Sequence, residues 1–231
     1  MSRIDKRVAT LAEAVADIHD GATVMVGGFG AVGQPDALMD QLAEHGAKDL
    51  TIIANNAGWS VETGIPRLMA NGQVRKIVCS FPKGSEIFGE LYKAGKIELE
   101  LVPQGTLAER IRAAGAGIPA FFTRTGAGTR LAEGKPVQSF DGIDYVMERA
   151  LPADFALLEA WEADRWGNLT FRGSGRNFNC VMATAAKTSI VQANHLLDTP
   201  IDPERVITPG IFITRVVEVN RAALTQEAAN G

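Results

Sequence analysis

Apolar runs alternate with amphipathic stretches through the first half of the chain. Thr10-Leu11-Ala12-Glu13 has the form of a capping box, in which a Thr hydroxyl and a Glu carboxylate satisfy backbone donors at a helix start. Ala14, Val15 and Ile18 then supply one apolar face before Asp20-Gly21 turns the chain. Ala22-Thr23-Val24-Met25-Val26 is apolar almost throughout, as a strand covered on both faces requires. Pro35 falls near the first turn of the next predicted helix, where a missing N–H costs nothing. Further strands are predicted at 50–54, 74–80 and 97–102, and helices over 83–94 and 106–114. Thr106-Leu107-Ala108-Glu109 reads as a second capping box. Strands of this kind alternating with helices predict an α/β fold: an open, mainly parallel sheet flanked by helices.

The pattern changes further along. Residues 115–134 are dense in glycine and read as a long loop around a short strand at 120–122. Strands at 143–147, 155–160, 169–171, 189–192 and 211–219, with fewer helices between them, predict a β-richer C-terminal part. It would either extend the same domain or form a small second layer. The polar, alanine-rich stretch 220–231 is expected to fray. With no internal repeat and no low-complexity linker, the expectation is a single domain over 1–231.

Composition then removes whole classes of function. A net charge of −4 offers no electrostatic footprint for nucleic acid. No apolar run approaches the ~18–20 residues of a membrane span. The basic start Met1-Ser2-Arg3-Ile4-Asp5-Lys6-Arg7 is not followed by an apolar stretch and cleavage site in signal-peptide order, so a cytoplasmic protein is expected. His19, His45 and His195 lack metal spacing, and no H-E-x-x-H or C-x-x-C occurs, so no metal is expected. Cys79 and Cys180 lie in apolar runs and read as core residues of a reduced chain. There is no G-x-S-x-G elbow, and the stretch from Gly128 to Gly134-Lys135-Pro136 has the wrong spacing for a phosphate loop.

Gly28-Phe29-Gly30-Ala31-Val32-Gly33 matches G-x-G-x-x-G between a strand and a helix. A dinucleotide site also needs an acidic residue ending the second strand, but that strand ends in Asn55-Asn56, and Asp49 precedes it. NAD is therefore disfavoured, whereas glycine-rich backbone that can approach an anion or oxyanion remains. Ser80-Phe81-Pro82-Lys83-Gly84 follows the third strand and Pro103-Gln104-Gly105-Thr106 the fourth. In a parallel sheet these strand ends share one rim, where ligands bind. The rim collects amides, glycine N–H groups and one lysine, but no carboxylate pair, histidine or thiol. Such a set polarises a carbonyl and holds a carboxylate without supplying a nucleophile.

These residues resemble the family I CoA-transferases. The run from Asp20 to Pro35 is similar to the family's first signature: an Asp/Asn-Gly turn, an apolar strand, Gly-Gly-Phe, then Gly-x-Pro. Asn55-Asn56-Ala57-Gly58, Pro103 to Glu109, Gly115 to Ala120 and Arg176-Asn177-Phe178-Asn179 are similar to the α subunit of 3-oxoacid and 3-oxoadipate CoA-transferases. The resemblance runs from about residue 9 to 219. It implies a fold shared with sugar-phosphate isomerases and deaminases. It also implies ping-pong transfer of CoA from succinyl-CoA to a 3-oxo acid, either 3-oxoadipate or acetoacetate. A coenzyme A thioester would be substrate, with no permanently bound cofactor.

The resemblance further implies a partner β subunit, in a heterodimer or a tetramer of two α and two β chains. That partner would carry the nucleophilic glutamate within Ser-Glu-x-Gly. Ser85-Glu86-Ile87-Phe88-Gly89 is the nearest text here, with the wrong spacing, and Glu86 reads as a solvated helix residue. No catalytic nucleophile is expected on this chain. By position, Gly27, Gly28, Phe29, Gly30, Ala31, Val32 and Gly33 would form the CoA-associated loop. Asn55, Asn56 and Gln104 would line the acyl and 3-oxo-acid pocket. Thr123-Arg124-Thr125-Gly126 departs from the family's Thr-Pro-Thr-Gly, which makes Arg124, or else Lys83, a candidate contact for a second carboxylate. Lys135, Arg172 and Arg176 are open choices for CoA phosphates. A sugar-phosphate isomerase or deaminase, or a non-catalytic metabolite sensor of the same fold, is the alternative.

Overall fold

Period-two burial decides the architecture. In β1 (Thr23–Val26), Val24 and Val26 join one apolar cluster and Met25 another, and all three are buried. The next strands repeat the division: Ile52 and Ala54 against Ile53 in β2 (Leu50–Ala54), Ile77 and Cys79 against Val78 in β3 (Val74–Cys79). Continuous apolar strands thus arise because helices cover both faces. The computed structural model describes residues 4–59 and 63–219, so the tail expected to fray lies outside the described residues.

One face is covered by α1 (Leu11–Val15), α2 (Asp36–His45), α3 (Gly64–Ala70) and α4 (Glu86–Lys93), through Val15, Leu38, Met39, Leu42, Leu68, Met69 and Phe88. β4 (Glu98–Leu101) closes that edge of the sheet, and α5 (Gln104–Gly115) crosses to the other face with Leu107 and Ile111. Each such fully buried side chain contributes roughly 1.5–3 kcal/mol. Cys79 belongs to this core, where burial pushes its thiol up to about 11.

The later strands realise both sequence-based alternatives. β5 (Ala120–Thr123), β6 (Val137–Phe140) and β7 (Ile143–Arg149) form a separate antiparallel sheet in the order β5-β7-β6. β8 (Ala153–Asp164), β10 (Ala186–Leu197) and β11 (Arg215–Glu218) instead extend the main sheet, whose order is β11-β10-β8-β1-β2-β3-β4. All its pairings are parallel except that of β9 (Leu169–Thr170), which runs antiparallel on β8. α6 (Asn177–Ala183) packs beside α5 through Phe178 and Met182.

Four local expectations need correction. α5 begins at Gln104, two residues before the second capping box, because Leu107 N–H already bonds the Pro103 carbonyl at 2.8 Å. Thr106 is therefore inside the helix, buried, with its hydroxyl lacking a hydrogen-bond partner. α4 starts at Glu86, not 83, since the Ser85 hydroxyl caps it by accepting from Phe88 N–H. The last strand is confined to Arg215–Glu218, as Pro209-Gly210 turns residues 210–212 into a 3-10 helix. α3 and α6 escape the periodicity reading. Pro66 stands in the first turn of α3, and each helix has only seven residues.

Candidate active site

The strand ends of the parallel sheet bring the predicted rim together. After β1 the loop folds on itself: Phe29 N–H donates to Val32 O (3.0 Å) and Val32 N–H to Phe29 O (3.1 Å). Phe29, Ala31 and Val32 stand exposed at its tip. Gly27 is buried for a different reason. A Cβ there would fall 1.9 Å from Oδ1 of Asn179 on α6. Asn179 cannot yield, because Oδ1 accepts from Glu159 N–H (3.0 Å) while Nδ2 donates to the carbonyls of Gly33 and Gly175 (2.9 Å each). The glycine loop and the 176–179 segment are thus one unit.

Much of the loop's donor capacity is used internally. Gly27 N–H bonds Leu157 O at 2.9 Å, and Gly30 N–H bonds Asn55 Oδ1 at 3.2 Å. The loop offers a ligand fewer backbone donors than its glycine content suggests. Its tighter coupling is to the amides. Asn55, at the end of β2, donates through Nδ2 to Gln104 Oε1 (2.8 Å) and accepts at Oδ1 from Asn56 Nδ2 (3.2 Å). Asn56 holds the Gly30 carbonyl (3.3 Å) and accepts from Gly58 N–H (2.8 Å). Asn55 and Asn56 are buried while Gln104 is exposed at the start of α5. With its Oε1 engaged in this way, Gln104 stands exposed at the rim. It lines a groove of about 250 Å³ with Phe29, Ala108, Phe178 and Val181.

A cavity of about 520 Å³ adjoins the loop at Ala31, Val32 and Gly33 and holds a residue that the sequence reading missed. Glu159 lines it, nearly buried, accepting from Asn194 Nδ2 at 3.2 Å. Trp161 lies against the guanidinium of Arg172, 4.9 Å from ring centroid to Cζ. Glu159 sits inside the apolar run 155–160 and so reads as core; β8 in fact continues past the rim to Asp164. A single carboxylate within such a run is the signal that could have marked it.

The remaining candidates are dispersed. Lys83 is exposed in the segment after β3, at the rim. Arg124 follows β5 in the small sheet. Glu86 is exposed at the start of α4, as expected. Lys135 bonds Glu148 at 2.6 Å, which commits its charge. Arg172 borders the larger cavity, and Arg176 is exposed just before α6. His19 and His45 bond backbone carbonyls, and His195 stands edge-on to Trp161 at 4.6 Å. Among the described residues no His/Cys/Asp/Glu group is placed to hold a metal, and no helix is long and apolar enough to cross a membrane. Chemically, a set of this kind can orient and polarise a carbonyl. It brings together the exposed Gln104, a glycine loop and one recessed carboxylate.

Coenzyme A transferase is the family whose pattern this chain matches, over residues 8–219, and the chain belongs to that family. It is 56% identical over 228 residues to the A subunit of 3-oxoadipate CoA-transferase from Pseudomonas putida, covering 97% of this chain and 98% of that one. It is 46% identical to the A subunit of a probable succinyl-CoA:3-ketoacid coenzyme A transferase from Bacillus subtilis, covering 92% and 89%. The fold is shared with an acyl-CoA transferase from Escherichia coli O157:H7 solved as a thioester complex with CoA, at a TM-score of 0.81 and 24% identity. That match covers 93% of this chain but 47% of the other, so this chain spans about half the length of that enzyme.

Proposed function

We propose that this chain is the α subunit of a two-chain CoA-transferase that moves CoA from succinyl-CoA to a 3-oxo acid, 3-oxoadipate or acetoacetate, with 3-oxoadipate preferred. The observation that carries the reading is the Asn55–Gln104 pair, locked to Gly30 where the strand ends meet, with Gln104 exposed. High identity to the corresponding chain of a 3-oxoadipate CoA-transferase supports the acid preference. Of the two candidates for a second carboxylate, Lys83 stands at the rim and Arg124 on the small sheet, which favours Lys83. Two free cysteines, one deep in the core, suit a reducing, cytoplasmic setting. Residues 1–231 act as one domain in this reading.

The chemistry proceeds in two halves. A glutamate carboxylate on the partner β chain attacks the succinyl-CoA carbonyl, expelling CoA thiolate and leaving a mixed anhydride. The thiolate attacks the glutamyl carbonyl, which releases succinate and forms a glutamyl-CoA thioester. The 3-oxo acid's carboxylate then repeats these steps in reverse, and the glutamate is regenerated. Each tetrahedral intermediate carries an oxyanion, and in this reading the Gln104 amide stabilises that charge. Asn55 fixes the amide, and the Gly27–Gly33 loop shapes the thioester side.

The test is to treat the two-chain enzyme with succinyl-CoA and no acceptor, then reduce with borohydride and map the reduced glutamate by mass spectrometry. Modification is expected on the partner chain alone, and Glu159→Gln here is expected to leave it intact. Labelling of this chain, at Glu159 above all, would overturn the assignment of the nucleophile.

A further inference from the structure

Trp59 and Phe81 are both about half exposed, at 49% and 48%, although they are large aromatic side chains. They lie in the segments that follow β2 and β3, and Phe81 adjoins the amide pair: its N–H donates to Asn55 O at 3.2 Å, and it pairs with Asn56 in an isolated parallel bridge. The ring centroids are 6.0 Å apart, tilted by 41°. The indole is seated against backbone. A Cβ on Gly84 would fall 2.0 Å from its Cζ3 atom, and Gly84 has no left-handed backbone to require glycine. Glycine at 84 therefore serves to admit the Trp59 ring. Lys83, the residue before it, is exposed.

We propose that Trp59, Phe81 and Lys83 form the wall that receives the far end of the acceptor acid. The rings pack on its methylene groups, and the Lys83 ammonium meets its terminal carboxylate. This rests on the transferase reading and deepens it. Trp59 becomes a specificity residue that selects a dicarboxylic 3-oxo acid over a short monocarboxylic one, which ends in a methyl group and leaves the wall unused.

The test uses the assembled two-chain enzyme, with kcat/KM measured separately for 3-oxoadipate and acetoacetate. In a ping-pong cycle that ratio reports the acceptor half alone. Trp59→Ala and Gly84→Ala, which displaces the ring without deleting it, are each expected to lose about tenfold or more for 3-oxoadipate, chiefly through KM, and less than about twofold for acetoacetate. Lys83→Gln, on an exposed segment, carries the same expectation should either variant fail to assemble. An equal loss for both acids, or an unchanged preference, overturns the wall while leaving the transferase standing. A wild-type complex that passes CoA to neither acid overturns the proposed function and the wall with it.

Discussion

Gln104 stands exposed where α5 begins. It is 49 positions from Asn55 in the chain, yet the two side chains meet at 2.8 Å because β2 and β4 end on one rim. Exposed and bonded to one side chain, Gln104 contributes little to folding. Gln104→Ala should leave the melting temperature within about 2 °C, as surface changes generally do. If its amide meets the oxyanion, kcat should fall about 10²-fold. Stopped-flow or coupled assays of the two-chain enzyme check this, and a kcat within about threefold of wild type would remove Gln104 from the mechanism. Gly27 teaches the opposite lesson. Its glycine is explained by Asn179, buried and held by three bonds, and needs no ligand.

Among elements, the two capping boxes separate what local sequence can decide from what it cannot. At Thr10 the cap is real: its hydroxyl accepts from Glu13 N–H at 3.1 Å, while the Glu13 carboxylate reaches one residue past the cap and accepts from Ala9 N–H at 3.0 Å. At Thr106 the same text lies inside a helix that Pro103 has already started. Thr10→Ala should therefore cost about 1 kcal/mol in urea unfolding. Thr106→Val should be near neutral or stabilising, because it removes a buried hydroxyl without a partner. Equal losses would contradict the assigned helix start.

The parallel sheet was legible because apolar runs such as 22–26 and 50–54 state their burial directly. The C-terminal strands were legible as strands but not as to sheet, since long-range pairing decides that β8 joins β1 while β7 joins β5. Of the site, Asn55, Asn56 and Gln104 could be read from their positions at strand ends. Glu159 was marked only by being a lone carboxylate in an apolar run, and Trp59, whose seat on Gly84 exists only in three dimensions, was not marked at all.

Over the whole molecule, ion pairs tie distant parts together. Hydrogen bonds from Arg215 hold the Asp17 carboxyl below its ordinary 3.8, and those from Lys187 and Thr23 N–H do the same for Asp154. Burial works to raise Glu100, but hydrogen bonds from Lys76 and Arg110 outweigh it and hold that carboxyl below 4.5. Arg110 also bonds the Arg149 carbonyl at 2.9 Å, so this cluster joins the small sheet to the main one. These groups bind protons less readily folded than unfolded. Their contribution is complete at neutral pH and is lost as pH falls below 4.5 and then 3.8. Urea midpoints should accordingly decline across that acid range, whereas midpoints that rise on acidification would contradict the pairing.

The molecule as a whole belongs to the coenzyme A transferase family, and its fold is shared with an enzyme about twice its length. In the proposed function it supplies half of a composite active site. The most direct measurement is CoA transfer from succinyl-CoA to 3-oxoadipate by this chain, by its partner β chain, and by the two reconstituted from separate purifications. Turnover is expected only in the reconstituted sample, saturating with partner concentration. Full turnover by this chain alone would contradict it.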